Sequence, residues 1–170
     1  KNLSEHISEI TVLDPTENCP AAQAGAKQIV GDFKDELAIL KLAEQSDIIT
    51  YEIESGNTDV LSKLKAKIEP SPSTLGIIQD KFLQKTFLSE NELPVSQFYE
   101  ITSLGDLHEK IKELGLPVLL KSRRDAYDGR GNFKITSSDE IEKAYQHFDG
   151  KSLMVEKFVN FKMEVSVIAA

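Results

Sequence analysis

Length, composition and charge describe an acidic globular chain and exclude one broad class of function. The chain has 170 residues, of which 40% are hydrophobic and 28% charged, enough for one ordinary domain or two small ones. Lys and Arg total 20 against 28 Asp and Glu, which gives a formal net charge of -8. Non-specific nucleic-acid binding needs a basic surface, so it is excluded as a main activity.

The cysteine and histidine content and the lengths of the apolar stretches restrict the compartment and the kinds of site further. The single cysteine, Cys19, excludes a disulfide framework and a cysteine-rich zinc site, and it fits a reducing compartment. The three histidines, His6, His108 and His147, are too scattered to form a metal cluster. No apolar stretch approaches the ~20 residues of a membrane span. We therefore expect a cytoplasmic protein with neither a membrane nor a nucleic-acid partner.

Short apolar runs alternate with amphipathic stretches along the first 71 residues, the pattern of an α/β fold. This pattern predicts strands at 10–13, 28–30 and 48–53 and a brief extended piece at Ile68. It predicts helices from Asp35 and around Leu61 and Leu64. Pro70-Ser71-Pro72 then marks a connection between two units, because proline fixes its own φ and biases the preceding residue away from helix.

The second half repeats the alternation with longer elements. Its predicted helices are 73–79, 80–91, 104–114 with Gly115 as C-cap, and one that 137–140 opens and that ends near Gly150. Its predicted strands are 97–101, 118–121, 133–135 and 153–156. The apolar run 165–169 predicts a buried strand whose partners do not occur in the chain, so we expect a fragment of a longer protein.

The loop from Lys121 to Asn132 is the strongest candidate for chemistry. Between Lys121 and Lys134 there are five basic and two acidic residues, a local charge of +3. Gly129 and Gly131 allow backbone amides to approach a ligand, and Lys121 supplies a fixed charge at the end of an apolar strand. These are the parts of a polyphosphate cradle, although a solvated hairpin turning at Asp128-Gly129 explains the spacing equally well. Neither a Walker A nor a dinucleotide spacing is present.

Carboxylates near two predicted strand ends are weaker candidates. Glu156 and Glu164 flank a strand break and could accept from ribose hydroxyls or an adenine amine, but in an acidic chain such residues are usually on the surface. Glu52 and Glu54 lie one strand period apart, so both are predicted to share a face at the end of a strand, where α/β sheets gather ligands. An exposed edge is the more common outcome for such a pair.

Several motifs in order resemble one family. They are Asp14-Pro15 with 20–23, Thr50-Tyr-Glu-Ile-Glu54, Pro70-Ser-Pro72, Ile78-Gln-Asp-Lys81 with Gln84-Lys85, Leu120-Lys-Ser-Arg123, Tyr127-Asp-Gly-Arg-Gly-Asn-Phe133, and Val155-Glu156 leading to 164–167. In this spacing the chain resembles the N5-carboxyaminoimidazole ribonucleotide synthetases, ATP-grasp enzymes of purine biosynthesis, and the equivalent region of the fungal phosphoribosylaminoimidazole carboxylases. The resemblance covers nearly the whole chain, and the blocks are specific only in combination.

The resemblance implies a fold and a reaction. The fold is α/β, with a Rossmann-like pre-ATP-grasp domain followed by the lid and the start of an ATP-grasp fold. The implied domain limits are 1–71 for the Rossmann-like part, 72–100 for connecting helices, 101–157 for the lid and 158–170 for the start of the catalytic subdomain. The implied reaction uses ATP, Mg²⁺ and bicarbonate to make carboxyphosphate and then to carboxylate 5-aminoimidazole ribonucleotide. The family is usually dimeric.

The resemblance also implies roles for individual residues. Lys81 and Lys121 match basic ATP contacts, Lys81 standing where many members have arginine. Ala126, Tyr127, Asp128, Gly129, Arg130, Gly131 and Asn132 match the lid over the phosphates, with Tyr127, Asp128 and Arg130 the catalytic candidates. Glu156, Lys157, Phe158 and Val159 match the adenine segment, in which main-chain groups of Lys157 and Val159 meet the base. Glu164 matches the ribose carboxylate, and Tyr127, Asp128 and Glu54 match residues near the aminoimidazole substrate.

Departures from the family pattern limit these expectations. Asp125-Ala126 replaces a Gly-Gly pair, which predicts a stiffer lid, and neither the opening glycine-rich turn nor the metal and bicarbonate ligands of the catalytic half occur in the 170 residues. We therefore assign no metal ligand and expect the 170 residues alone to be inactive. Two other readings stay open: another ATP-grasp ligase, biotin carboxylase-like or formate-dependent, and a non-catalytic assembly module.

Overall fold

A computed structural model describes residues 6–124 and 131–167, which form two compact units divided between Gln79 and Asp80. The elements of the first unit are β1 (Thr11–Asp14), α1 (Pro20–Gln23), β2 (Lys27–Val30), α2 (Glu36–Glu44), β3 (Ile48–Ile49), α3 (Thr58–Leu61), β4 (Lys67–Ile68) and α4 (Pro72–Ile78). Those of the second unit are α5 (Lys81–Glu90), β5 (Phe98–Ile101), α6 (Leu104–Leu114), β6 (Val118–Ser122), β7 (Asn132–Ile135), α7 (Ile141–His147) and β8 (Leu153–Lys157), with a 3-10 turn at Ser138–Glu140 before α7.

The first unit is built from parallel strand pairs with helices between them. β1 pairs with β2 and β3 with β4, both in parallel, and parallel neighbours require the crossover helices that the sequence supplies. Side-chain caps fix where the helices begin: Asp35 accepts from the amide of Leu37 at 2.8 Å, and Ser71 from that of Thr74 at 3.3 Å. The α/β alternation predicted from the sequence is therefore confirmed.

One predicted strand differs from the structure, and another is not tested by it. The strand predicted over 48–53 ends at Ile49, because its partner β4 offers only two residues for pairing. Glu52 and Glu54 therefore do not share a strand face, and both are exposed. The buried strand predicted over 165–169 stays a prediction: Val165 and Val167 are 78% and 89% exposed and lie in no assigned strand, but the prediction placed the partners of this strand outside the chain, and residues 168–170 lie outside the described residues.

The second unit is a four-stranded antiparallel sheet in the order β5-β8-β6-β7. One face packs on α6 and α7 through a core that includes Leu107, Val118, Leu120, Ile135 and Val155, all fully buried. α6 begins and ends where the sequence predicts, with Ser103 as N-cap and Gly115 in the left-handed region at φ 69°. Burial of this one face leaves the other face of the sheet available for a site.

The domain limits predicted at residues 71, 100 and 157 stay a prediction. In the part of the chain that the structure describes, no helix is long and apolar enough to cross a bilayer.

Candidate functional site

The sheet of the second unit has a charged face opposite its core. Because side chains alternate along a strand, the register places eight residues on this face: Phe98, Glu100, Leu119, Lys121, Asn132, Lys134, Met154 and Glu156. Helix α5 packs on part of it, since Phe82 meets Phe98 edge to face with ring centroids 5.5 Å apart. The charged face is therefore partly covered, and charges beneath α5 are shielded from water.

A carboxylate held between two lysines lies on this face, and we call Lys85, Lys121 and Glu156 the Lys–Glu–Lys cluster. Lys121 Nζ lies 2.5 Å from Glu156 Oε1, and Lys85 Nζ lies 2.7 Å from Oε2. The side chain of Glu156 is only 8% exposed and that of each lysine 20%. Two ammonium groups and one carboxylate give the cluster a formal charge of +1.

Ser96 completes the contacts of the Lys–Glu–Lys cluster. Its hydroxyl accepts from Lys85 Nζ at 2.9 Å and donates to Glu156 Oε2 at 3.2 Å. Burial alone would raise the pKa of the Glu156 carboxyl, but hydrogen bonds from Lys121 and Lys85 outweigh that effect and lower the pKa below its ordinary value. Glu156 is thus an anion at neutral pH, and the expectation that it lies on the surface is wrong.

A second buried carboxylate, Asp80, anchors the start of the loop that follows β6. Arg123 grips it with two bonds, Nε to Oδ1 at 2.9 Å and Nη2 to Oδ2 at 2.7 Å, and Arg124 Nε adds a third at 3.1 Å. Arg123 also contacts Glu100 through Nη1. Burial of Asp80 would raise the pKa of its carboxyl, but the two arginines lower it below the ordinary value. Asp80 is 2% exposed, so its charge depends on these partners.

Asp80 is at the same time the N-cap of α5, which places Lys81 beside the loop. Its Oδ1 accepts from the amides of Phe82 and Leu83 at 3.0 and 3.3 Å. The amide of Lys81 donates to the carbonyl of Arg123 at 2.9 Å, and Lys81 Nζ lies 3.4 Å from the carbonyl of Ser122. The structure therefore brings the predicted residue Lys81 to the end of β6, the strand that carries Lys121.

At the end of β8, several main-chain amides and carbonyls form hydrogen bonds within the chain. The amide of Lys157 donates to the carbonyl of Gln97 at 2.9 Å, and the amide of Phe158 donates to that of Pro117 at 3.3 Å. The carbonyl of Val159 accepts from the amide of Phe161 at 3.1 Å. The side chain of Lys157 points to the core side of the sheet and donates to the carbonyl of Gly115 at 2.8 Å.

The remaining predicted residues are distributed as follows. Ala126, Tyr127, Asp128, Gly129 and Arg130 lie outside the described residues. Gly131 is buried and its carbonyl accepts from the amide of Ser122 at 2.9 Å, while Asn132 lies opposite Lys121 on β7 with an exposed side chain. Glu164 is exposed. Glu54 is exposed in the first unit, where its carbonyl accepts from the Gln79 side chain at 2.6 Å.

Several residues of the site were given no role from the sequence, among them Asp80, Lys85 and Ser96. Asp80 carried a usable signal, since an Asp directly before an amphipathic run is a typical N-cap. Lys85 and Ser96 meet Glu156 across 71 and 60 positions of sequence, a pairing that depends on the strand order and on how α5 packs.

Comparison with known proteins assigns this architecture to a family. Residues 86–170 match the model of the ATP-grasp domain, and residues 4–79 match that of the ribonucleotide synthetase preATP-grasp domain. The chain belongs to the ATP-grasp family, with a preATP-grasp unit ahead of the ATP-grasp region.

Within that family, the relatives point to one kind of enzyme. A phosphoribosylaminoimidazole carboxylase of Schizosaccharomyces pombe is 39% identical over 92% of this chain and 29% of its own length. An N5-carboxyaminoimidazole ribonucleotide synthase of Brucella melitensis is 37% identical over 95% of this chain and 46% of its own length. The chain therefore spans less than half the length of these curated relatives.

Solved structures agree with these relatives. The N5-carboxyaminoimidazole synthase of Aspergillus clavatus in complex with ADP and 5-aminoimidazole ribonucleotide matches with a TM-score of 0.86 at 34% identity, covering 95% of this chain and 43% of that one. The Staphylococcus aureus synthetase complexed with ADP also matches at 0.86, with 28% identity over 91% of this chain and 42% of that one. The predicted recognition and fold class are thereby confirmed.

Proposed function

We propose that the protein containing this chain uses ATP and bicarbonate to carboxylate 5-aminoimidazole ribonucleotide on its exocyclic amine, giving N5-carboxyaminoimidazole ribonucleotide for purine biosynthesis. The observation that carries the proposal is the Lys–Glu–Lys cluster on the charged face, in a chain whose matched structures hold ATP or ADP. Here a surplus positive charge sits in a partly buried place, which suits a polyphosphate.

The charged face fits a nucleotide in two ways. Two lysines supply cations for the phosphates: Lys121 on β6, and Lys81 on α5, which contacts the end of β6. At the end of β8, the carbonyl of Lys157 would supply an acceptor and the amide of Val159 a donor, while the amide of Lys157 and the carbonyl of Val159 bond within the chain. An acceptor and a donor two residues apart match the amine and the neighbouring ring nitrogen of adenine.

The lid residues enter as part of the proposal. Tyr127, Asp128 and Arg130 would contact the substrate and the transferring phosphoryl group, and Ala126, Gly129, Gly131 and Asn132 would cover the phosphates with main-chain amides. Phe158 would pack on the adenine, Glu164 would accept from the ribose, and Glu54 would lie near the aminoimidazole ribonucleotide. These assignments rest on the family resemblance.

Mg²⁺ would reach the site with the nucleotide. In residues 6–124 and 131–167, no group of three or more acidic, histidine or cysteine side chains is placed to hold a metal ion. The described residues therefore do not by themselves fit a metal site.

The described residues contribute chiefly by binding and by electrostatic stabilisation. ATP transfers its γ-phosphoryl group to bicarbonate, and ADP leaves carrying the new negative charge. Lys121 and Lys81 hold fixed charge next to the phosphates, which stabilises charge as it develops and needs no rearrangement at the moment of reaction. The amine of the ribonucleotide then attacks the carboxyl carbon of carboxyphosphate, phosphate leaves, and the amine gives up a proton.

The experiment is a measurement of ADP release by the full-length protein. We expect ADP formation to require both bicarbonate and 5-aminoimidazole ribonucleotide, with one ADP per carboxylated product. Lys121→Met should lower kcat/KM for ATP by about 100-fold, because a charged contact to the phosphates is lost. Lys143→Met, on the exposed side of α7, is the matched control and should leave the rate unchanged.

Other acceptors distinguish the remaining candidates. Stoichiometric ADP with biotin, or with formate and a ribonucleotide, would assign a different ATP-grasp ligase. The glycinamide transformylase structure that matches at 15% identity shows only that the fold is shared. Failure of ATP to shift the thermal unfolding of the full-length protein would favour the assembly module. We further propose a cytoplasmic homodimer, which sedimentation of the full-length protein and cell fractionation would test.

A further inference from the structure

The resemblance assigns no role to Lys85 itself, yet Lys85 is one of the two cations that pair with Glu156. It lies on α5, and its Nζ is 2.7 Å from Glu156 Oε2 and 2.9 Å from Ser96 Oγ. Its side chain is 20% exposed, the same as that of Lys121. A lysine this well enclosed loses much of its rotamer freedom, so it needs a compensating role.

The contacts of Glu156 limit what its carboxylate can do. Oε1 accepts from Lys121 and Oε2 accepts from both Lys85 and Ser96. These bonds hold the carboxylate on the charged face next to the lysines, so Glu156 acts on a ligand through Lys121. It is a positioning residue.

Charge balance then separates the two lysines. One carboxylate neutralises one ammonium group, and without Lys85 the pair of Lys121 and Glu156 would be neutral. With Lys85 present the cluster carries a charge of +1, and only Lys121 continues the strand toward the loop and Lys81. Lys85 instead pairs with the other carboxylate oxygen, donates to Ser96 and lies 5.7 Å from the centroid of the Phe98 ring.

We propose that Lys85 is a positioning residue of the nucleotide site: it neutralises Glu156, so that the positive charge of Lys121 is left for the phosphates. This inference rests on the proposed function, because it takes a nucleotide as the ligand. Ser96 orients Lys85 and Glu156 toward each other. In the complex, the carboxylate of Glu156 and the phosphates of the nucleotide share the two ammonium groups of Lys85 and Lys121.

The test compares nucleotide affinities of variants of the full-length protein by calorimetry with ATP and adenosine. Lys85→Met should weaken ATP by about tenfold and leave adenosine, which has no phosphates, unchanged. Lys85→Arg keeps the charge and should stay within about twofold of wild type. Ser96→Ala should weaken ATP by about threefold. Lys143→Met is the control for loss of a lysine on an exposed surface.

The decisive variant is the double substitution Lys85→Met with Glu156→Gln. It removes one cation and one anion, so it restores the charge of +1, and ATP affinity should recover to within about threefold of wild type. A purely structural role for Lys85 predicts the opposite, because the second substitution would add its own loss. Lys85→Met alone leaves the Lys121–Glu156 pair intact, so no buried charge is left unpaired and the variant should fold; near-UV circular dichroism verifies this.

The outcomes separate this inference from the proposed function. If wild type binds ATP and Lys85→Met binds it equally well, or if the double variant is weaker than Lys85→Met, the role of Lys85 is refuted while the proposed function stands. The same holds if Lys85→Met weakens adenosine as much as ATP. If wild type binds no ATP, both fall. If Lys85→Met does not fold, Ser96→Ala decides: weaker binding of ATP with adenosine unchanged supports the role of Lys85, and unchanged binding of ATP refutes it.

Discussion

Asp80 caps α5 and also pairs with Arg123 and Arg124. Its replacement should therefore lower the free energy of unfolding strongly, and two variants can separate the contributions of the cap and of the ion pairs. Asp80→Ala removes the N-cap of α5 and the counterion of Arg123 and Arg124. Asp80→Asn keeps an oxygen for the cap, but it removes the negative charge and replaces Oδ2, which accepts from Arg123 and Arg124, with an amide donor. The difference between the two variants therefore isolates the cap.

The magnitudes follow from burial and from the remaining partners. Loss of an N-cap costs about 1 kcal/mol. Removing one partner of a buried ion pair costs about 3–5 kcal/mol. Arg123 keeps its contact with Glu100 after the substitution, which brings this second contribution to the lower end. We expect Asp80→Asn to lower the free energy of unfolding of the second unit by about 3 kcal/mol and Asp80→Ala by about 4 kcal/mol.

Urea unfolding followed by hydrogen exchange measures the free energy of unfolding of the second unit separately. Peptides from α5 and β6 report on the second unit, which circular dichroism of the whole chain would not separate from the first. Asp149→Asn, at an exposed position, is the matched control and should change the free energy of unfolding by less than about 0.5 kcal/mol. If Asp80→Asn unfolds at the same urea concentration as wild type, the buried charge cluster does not stabilise this unit.

The remaining predictions concern pH and one glycine. The pKa values of Asp80 and Glu156 are lowered in the folded state, so their stabilisation is fully present above the unfolded-state values and is lost as pH falls below about 4.5 through the folded-state values. Calorimetry from pH 7 to 3 should show this loss, and a melting temperature that stays flat to pH 3 would contradict it. Gly115→Ala should cost about 1 kcal/mol in chemical denaturation, because φ is 69° there while the added Cβ would meet only Lys157 Nζ, at 3.6 Å. Gly105→Ala, within α6 and with its Cβ in ordinary contact with Ser103, should instead stabilise slightly, and equal effects at the two glycines would refute the argument.

Local signals predicted most of the elements of the second unit. Helix α6 is bounded by a serine cap and a glycine with positive φ, both visible in the sequence, and its limits are those predicted. The strand predicted over 48–53 failed because strand length depends on the partner, and β4 pairs with only two residues. Apolar content alone could not show that.

The site was less accessible to sequence reasoning than the fold. Lys121 was found because it ends an apolar strand next to a basic, glycine-containing loop. Glu156 was expected on the surface when considered alone, since nothing local marks a glutamate that two lysines from α5 and β6 will enclose. Burial of a charge is a property of the tertiary arrangement, and in this chain the arrangement joins residues 35 and 71 positions apart from Glu156.

The main chain and the side chain of Lys157 make contacts in different places. Under the proposed function its backbone meets the edge of the base, whereas its ammonium group bonds to the carbonyl of Gly115, directly after α6, on the core side of the sheet. Selection on nucleotide recognition would therefore not act on the identity of this side chain. Under the same proposal, variation at position 157 should instead follow changes at the carboxyl end of α6, which Lys157 contacts through Gly115.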